Sequence, residues 1–497
     1  MTSRRASAPP GAPPTPEALA RALQAATAPP VELRETHVSW VLLTEYHAYK
    51  LKKPVAYAFV DQSTPEHRRW LCEEEVRVNR ALAPDVVLGV RAVVEVNSGY
   101  ALAPADTPRA VDWVVAMRRF DERRTMAALA ARDELTDAQV DAAAVRIAHF
   151  HRDARRVRID LPAVVRAASD RNFEELVAAA REIVPGARLL AAERLADAFL
   201  TRRAPLLAER ARAGHVVDGH GDLRAEHVLL REDGITIVDR LEFDPALRHV
   251  DVADDLAFLV MDLEAHGCRR AADALVHSYR AAGGDPGDDA LIAFYAAYRA
   301  QVRAKVALLA ERYGQAQNLL DLGERLQWRA RGPLLLLVTG PPASGKTTLA
   351  RAVGEASGFP VLSSDALRPG RPGDADRYTL EHRARVYADL AHRAGPAVAA
   401  HGGAIVDATF GEVELQERFL GALDPGARAG LRVVECRAPF DERLARAERR
   451  SGDASEADRD VAAMLADRFV PMPAAHRLVV EPGGGAALVA DWIDETL

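Results

Sequence analysis

Cysteine is scarce in this 497-residue chain: there are three, Cys72, Cys268 and Cys436, far apart and in no C-x-x-C pair. That excludes a disulfide framework and a thiolate zinc site, and it predicts a reducing, cytoplasmic setting. Long apolar runs are missing as well, so no membrane span is expected. The opening MTSRRASAPPGAPPTPEALA has an arginine pair but no apolar stretch behind it. It reads as a flexible Pro/Ala-rich tail (residues 1–25), not a signal peptide. Excess positive charge is also lacking: 65 Lys and Arg stand against 72 Asp and Glu, for a net charge of -7. With no basic groove interleaved with aromatics, nucleic acid is not the expected partner.

What is present is an ordinary globular composition, 49% hydrophobic and 28% charged, in a chain too long for one core. Its dividing feature is Gly340-Pro341-Pro342-Ala343-Ser344-Gly345-Lys346-Thr347, which fits the phosphate-binding loop G-x-x-x-x-G-K-[ST]. The apolar run Leu334 to Val338 precedes it, as a buried parallel strand would, and Thr348 to Val353 can open a helix. Such a turn aims backbone N–H groups and a helix dipole at one point, which suits a nucleoside triphosphate. Gly340, Ser344, Gly345 and Thr348 would help form the cradle. Lys346 would reach the β- and γ-phosphates, and Thr347 would meet Mg²⁺.

Upstream, Val38–Leu43 and Ala48–Lys52 are expected as two strands, and alternation puts Lys50 and Lys52 on one face. Lys52 and Lys53 are expected to be solvated. A charged amphipathic helix is predicted from His67 to Leu82, and a strand from Trp113 to Met117. His220-Gly221-Asp222 is followed by His227, then by a hairpin with its turn at Glu232-Asp233-Gly234 and with Asp239 at its end. This is a phosphotransfer layout: Asp222 to take the acceptor's proton, His227 and Asp239 to hold metal, and a Lys50–Glu75 pair to steady phosphates. His220 alone reads as a brace for the loop.

HGDLRAEH, then IVDRLEF, then DVADDLAFL resemble the aminoglycoside-phosphotransferase-like kinases, whose loop reads H-G-D-x-x-x-x-N. The resemblance implies a two-lobed kinase fold that binds ATP near Met117 and phosphorylates a small-molecule hydroxyl. Asp255, in the acidic stretch, is taken as a substrate contact. His227 departs from the pattern, which has asparagine there, and this puts the second metal in question because Mg²⁺ prefers hard oxygens.

Beyond the phosphate loop, two strands end in carboxylates, at Asp365 and Asp407, and strand C-termini line the ligand crevice of parallel sheets. Asp365 is placed as the acceptor's base and Asp407 as a Mg²⁺ holder. Arg446 and Arg450 share a helix face and can stabilise a transferring phosphoryl group. GPPASGKTT, Ser364-Asp365-Ala366-Leu367-Arg368, Asp407 to Phe410, Arg418 and the arginine-rich helix are similar to the gluconate-kinase, zeta-toxin and polynucleotide-kinase type of P-loop kinase. That likeness implies substrate contacts at Arg368 and Arg418.

The whole chain thus resembles a bacterial fusion family usually described as aminoglycoside phosphotransferase and ATP-binding protein. The expected fold is an α+β two-lobed protein-kinase-like domain (26–325), a connector (326–333) and an α/β P-loop NTPase domain with a parallel sheet (334–497). The expected function is ATP- and Mg²⁺-dependent phosphotransfer to a small hydroxyl compound, possible at two sites. The alternatives are a nucleotide-sensing binding protein and a P-loop domain acting on polynucleotide or nucleoside.

Overall fold

In the computed structural model, the described residues are 14–24, 30–57, 60–96, 99–181, 183–367, 379–449, 469–473 and 476–496. Packing divides the chain into two units, Met1–Leu161 with Ala208–Pro286 and Pro162–Leu207 with Gly287–Leu497.

The first unit opens on strands β1 Glu32–Glu35, β2 Ser39–Leu43 and β3 His47–Lys52, with a short pair, β4 Ala56–Tyr57 and β5 Val60–Asp61. Thr64 then caps helix Pro65–Asn79 by accepting from the His67 N–H, with Pro65 preset for the first turn. Strands β6 Val87–Val96, β7 Gly99–Pro104 and β8 Ala110–Arg118 complete a six-stranded sheet in the order β1-β2-β3-β8-β6-β7. All its pairings are antiparallel.

Alternation along β8 divides the apolar residues of this sheet. Trp113 and Val115 pack with Cys72 and Val76 of helix Pro65–Asn79, while Val114 joins Leu42, Leu51 and Leu19 on the other face. Leu19 lies in helix Pro16–Gln24 and is fully buried. The expected flexible tail is therefore helical and packed in its last part, because that segment carries the apolar residues that cover the sheet.

Further along, β9 Val216–Asp218 leads into the His220 loop. Next come the hairpin β10 Val228–Arg231 and β11 Gly234–Ile237, then β12 His249–Asp251, which pairs with β9. Helix Val252–Ala265 follows, capped by Asp251.

The second unit holds a five-stranded, wholly parallel sheet, β14-β15-β13-β16-β17. Its strands are β13 Leu334–Thr339, β14 Val361–Ser363, β15 Gly403–Asp407, β16 Leu431–Cys436 and β17 Arg477–Val480. Strand β13 is buried throughout. Leu335 and Leu337 face helices Leu380–His401 and Val413–Ala422, while Leu334, Leu336 and Val338 face helices Lys346–Ser357 and Ala486–Thr496.

The expected connector at 326–333 is helical as far as Ala330, the end of helix Tyr313–Ala330, and its Trp328 packs with Leu334 and Phe359. Packing also gathers 162–207 and 287–333 with this sheet, apart from the expected boundary at 325. Phe199 stacks on Phe294 at 4.2 Å, and Arg331 pairs with Asp494 at 3.0 Å. Among the described residues, no helix is long and apolar enough to cross a membrane.

Candidate active sites

In the first unit, Lys50 Nζ lies 2.9 Å from Glu75 Oε1 and 2.9 Å from Asp239 Oδ1. Burial works to lower the Lys50 pKa, but Asp239 and Glu75 outweigh it and hold the group well above the ordinary lysine value. Asp239 is held well below the usual carboxylate range, chiefly by the Lys50 ammonium and against burial. Lys52 is not solvated as expected. It is 2% exposed and joins Glu75 Oε2, at 2.6 Å, to Glu242. A lysine so buried needs such partners, because an unpaired buried ammonium is too costly.

The loop after β9 is built around Asp255. Its carboxylate accepts from the His220 N–H at 2.6 Å and the Gly221 N–H at 2.9 Å, and His151 Nε2 lies 3.1 Å away. A Cβ on Gly219 would lie 2.7 Å from Asp255 Oδ2, so the close approach requires glycine there. Asp255 is fully buried and its oxygens are engaged. It braces the loop, and its reading as a substrate contact is withdrawn.

His220 is a brace too. Its Nε2 lies 2.9 Å from the Val238 carbonyl, which only accepts, while Nδ1 receives the Asp222 N–H at 3.3 Å. Both nitrogens are therefore used by a neutral ring, and burial pushes the His220 pKa down to about 4.

Asp222, at the loop's end, is gripped by Arg224, whose Nε and Nη2 each lie 2.9 Å from one carboxylate oxygen. Burial opposes ionisation of Asp222, but His227 and Arg224 outweigh it and keep its pKa below the ordinary value. His227 stands within 3.8 Å of Asp222 Oδ2 and 3.6 Å of Asp239 Oδ2. Met117, near the end of β8, and Val238, the residue before Asp239, both pack against the cluster of Ala83, Val86 and Val87. The fold thus gathers Lys50, Glu75, Asp222, His227 and Asp239, which are far apart in sequence.

In the second unit, the phosphate loop joins β13 to helix Lys346–Ser357. Gly340 has a φ of 138°, and a Cβ there would meet the Cys436 carbonyl oxygen at 2.3 Å. Only glycine fits. The buried Ser344 hydroxyl has no partner among the described residues. Lys346 Nζ donates to the Pro341 carbonyl at 2.9 Å, and Thr347 Oγ1 donates to Asp407 Oδ2 at 2.7 Å. Burial pushes the Asp407 carboxyl up and the Asp365 carboxylate adds to this. Ser363 pairs with Asp407 across β14 and β15, and the Ser364 N–H donates to the Asp407 carbonyl at 3.0 Å, so Asp365 follows at the same end of the sheet.

The Arg446 guanidinium lies 4.0 Å from where a Gly345 Cβ would stand, so this arginine lies beside the loop at Gly345. It pairs with Glu442 at 3.0 Å. Thr348 and Arg418 are exposed. Arg368 and Arg450 lie outside the described residues.

Three participants escaped sequence reasoning in these roles: Lys52, Glu242 and Arg224. For Lys52 a signal existed, since strand alternation puts it on the face of Lys50. Arg224 lies two residues beyond Asp222, a spacing that carries no signal by itself.

A family profile described as an AAA domain matches residues 335–472. An uncharacterized protein of Mycobacterium tuberculosis strain H37Rv is 32% identical over 472 residues, covering 90% of this chain and 92% of its own. An uncharacterized protein of Mycobacterium bovis matches to the same extent. Among solved structures, a choline kinase from Cryptosporidium parvum Iowa II is 11% identical, covering 60% of this chain and 89% of its own, with a TM-score of 0.39. A gluconokinase from Sinorhizobium meliloti 1021 is 19% identical, covering 33% and 91%, with a TM-score of 0.27.

Proposed function

Because the chain belongs, with these mycobacterial proteins, to a bacterial family that joins an aminoglycoside-phosphotransferase-like kinase domain to a C-terminal P-loop kinase domain, we propose that it is an ATP-dependent phosphotransferase with two nucleotide sites, each acting on an alcohol. The observation that carries the reading is the Lys50 ammonium set between Glu75 and Asp239 at 2.9 Å from each. Such a lysine is charged and fixed, ready to hold phosphate oxygens.

In the first unit the acceptor's hydroxyl oxygen would bond to the γ-phosphorus as the bond from that phosphorus to the β-bridging oxygen breaks. ADP leaves with the electron pair, and Asp222 takes the hydroxyl proton. In the second unit Asp365 would take the proton and Arg446 would face the charge developing on the phosphoryl oxygens.

Mg²⁺ fits the second site, where a hydroxyl and a carboxylate, Thr347 and Asp407, supply hard oxygens 2.7 Å apart. In the first site, Asp239 supplies such an oxygen. The ion's part is to neutralise charge on the phosphates. His227 does not suit it, since its imidazole is a softer ligand already engaged by Arg224.

The test is ADP release by the purified protein against sugars, aminoglycosides, nucleosides and oligonucleotides, with Lys50→Ala and Lys346→Ala to assign each activity. Acceptor-dependent release lost in one variant supports the reading. The grip of Arg224 on both Asp222 oxygens favours a second reading, a first unit that senses nucleotide without turnover. Nucleotide binding without acceptor-dependent ADP release would establish that reading instead.

A further inference from the structure

Position 227 is histidine where the kinases this chain resembles have an asparagine oxygen. His227 Nδ1 lies 2.8 Å from the Asp222 carbonyl oxygen. A carbonyl only accepts, so Nδ1 carries the proton and the lone pair lies on Nε2. Nε2 is then the atom of this side chain able to bind a metal ion. Arg224 Nη2 reaches it at 3.1 Å. The same guanidinium holds both oxygens of Asp222, each at 2.9 Å, and pairs with Glu226. It is 13% exposed, so it is fixed among these partners and not free in solvent. A divalent ion on Nε2 would have to displace a positive charge held by two carboxylates and the ring.

We propose that Arg224 stands in for the second cation of the first site. The site takes its nucleotide with a single divalent ion, held through Asp239, and the guanidinium supplies the remaining positive charge beside Asp222. Arg224 is then a positioning residue that fixes Asp222 as an ionised carboxylate and excludes a second ion. The inference rests on the first unit being a nucleotide site, and it deepens that reading by setting its metal requirement.

The test counts Mn²⁺ bound to the full-length protein saturated with a non-hydrolysable ATP analogue, by electron paramagnetic resonance of the free ion. Nucleotide bound is counted in the same samples. The difference between wild type and Lys50→Ala gives the first site's share. About one Mn²⁺ and about one nucleotide are expected to be lost. A loss of about two Mn²⁺ with one nucleotide overturns the proposal.

No loss of nucleotide or Mn²⁺ overturns the nucleotide reading itself, and the proposal with it. The Arg224→Ala/His227→Asn double variant removes the guanidinium and restores an amide oxygen. It should bind about one Mn²⁺ more than wild type at equal nucleotide. An unchanged count would show that Arg224 does not occupy the second ion's place. If the double variant fails to fold, the wild-type difference still decides.

Discussion

Asp222 carries the proton in the proposed first-site chemistry, and its surroundings make a sharp test possible. Asp222→Asn keeps the shape and loses the charge, so turnover of a first-site acceptor should fall by about 10²–10⁴ while nucleotide affinity stays close to wild type. Undiminished turnover would remove Asp222 from its role.

His220 makes a different prediction. Its pKa is about 4 in the folded protein, against about 6.5 in an unfolded chain. As pH falls, the unfolded chain therefore takes up this proton first. The stabilisation from a neutral His220 is complete above about pH 6.5 and is lost as pH falls toward about 4, by up to roughly 3 kcal/mol. Denaturant midpoints measured between about pH 7 and about pH 4.5 should fall more steeply for wild type than for His220→Gln. Parallel slopes would refute the assignment.

At the scale of elements, helix Pro65–Asn79 ties two parts of the first site together. Glu75 pairs with both lysines of β3. One turn on, Asn79 donates from Nδ2 to the Arg240 carbonyl at 3.2 Å and accepts the Arg240 N–H at 2.8 Å. The helix and the segment carrying Asp239 are thus fastened edge to edge. Asn79→Ala would leave a buried N–H and C=O without partners, which costs about 1–3 kcal/mol. Faster hydrogen exchange in this helix and around Asp239 should follow, and protection equal to wild type would count against the tie.

The helix, the β10–β11 hairpin and the phosphate loop were legible in sequence because their signals are local. They are a charged amphipathic stretch from His67, a turn at Glu232-Asp233-Gly234, and a glycine pattern after an apolar strand. Strand alternation gave the face of Lys52, but its pairing with Glu242 was not legible, because the two lie 190 positions apart. Nor was the brace at Asp255, since a carboxylate in a helix's first turn also reads as a cap. Only the fold reveals that it points into the His220 loop.

For the whole molecule, two sites of different build predict about two bound nucleotides per chain by calorimetry. Lys50→Ala should remove one and Lys346→Ala the other. One nucleotide in wild type, lost with Lys346→Ala and untouched by Lys50→Ala, would make the first unit a relic of a kinase.

The helices at 162–207 and 287–330 belong to the same packed unit as the parallel sheet. A chain cut at residue 325 should therefore be less soluble than the full protein. A well-folded 1–325 fragment with native-like circular dichroism would contradict this. Through Trp328 and Arg331, the end of the long helix belongs to the P-loop core.

That arrangement also sets an order of birth. Residues 162–207 leave the ribosome well before Gly287–Leu497, the rest of their unit. Phe199 emerges when its stacking partner Phe294 has not yet been made. The first unit, meanwhile, cannot close until synthesis reaches Pro286. A helical stretch with unsatisfied apolar faces therefore waits, tethered inside a half-finished neighbour, and this is the interval in which the nascent chain most needs a chaperone.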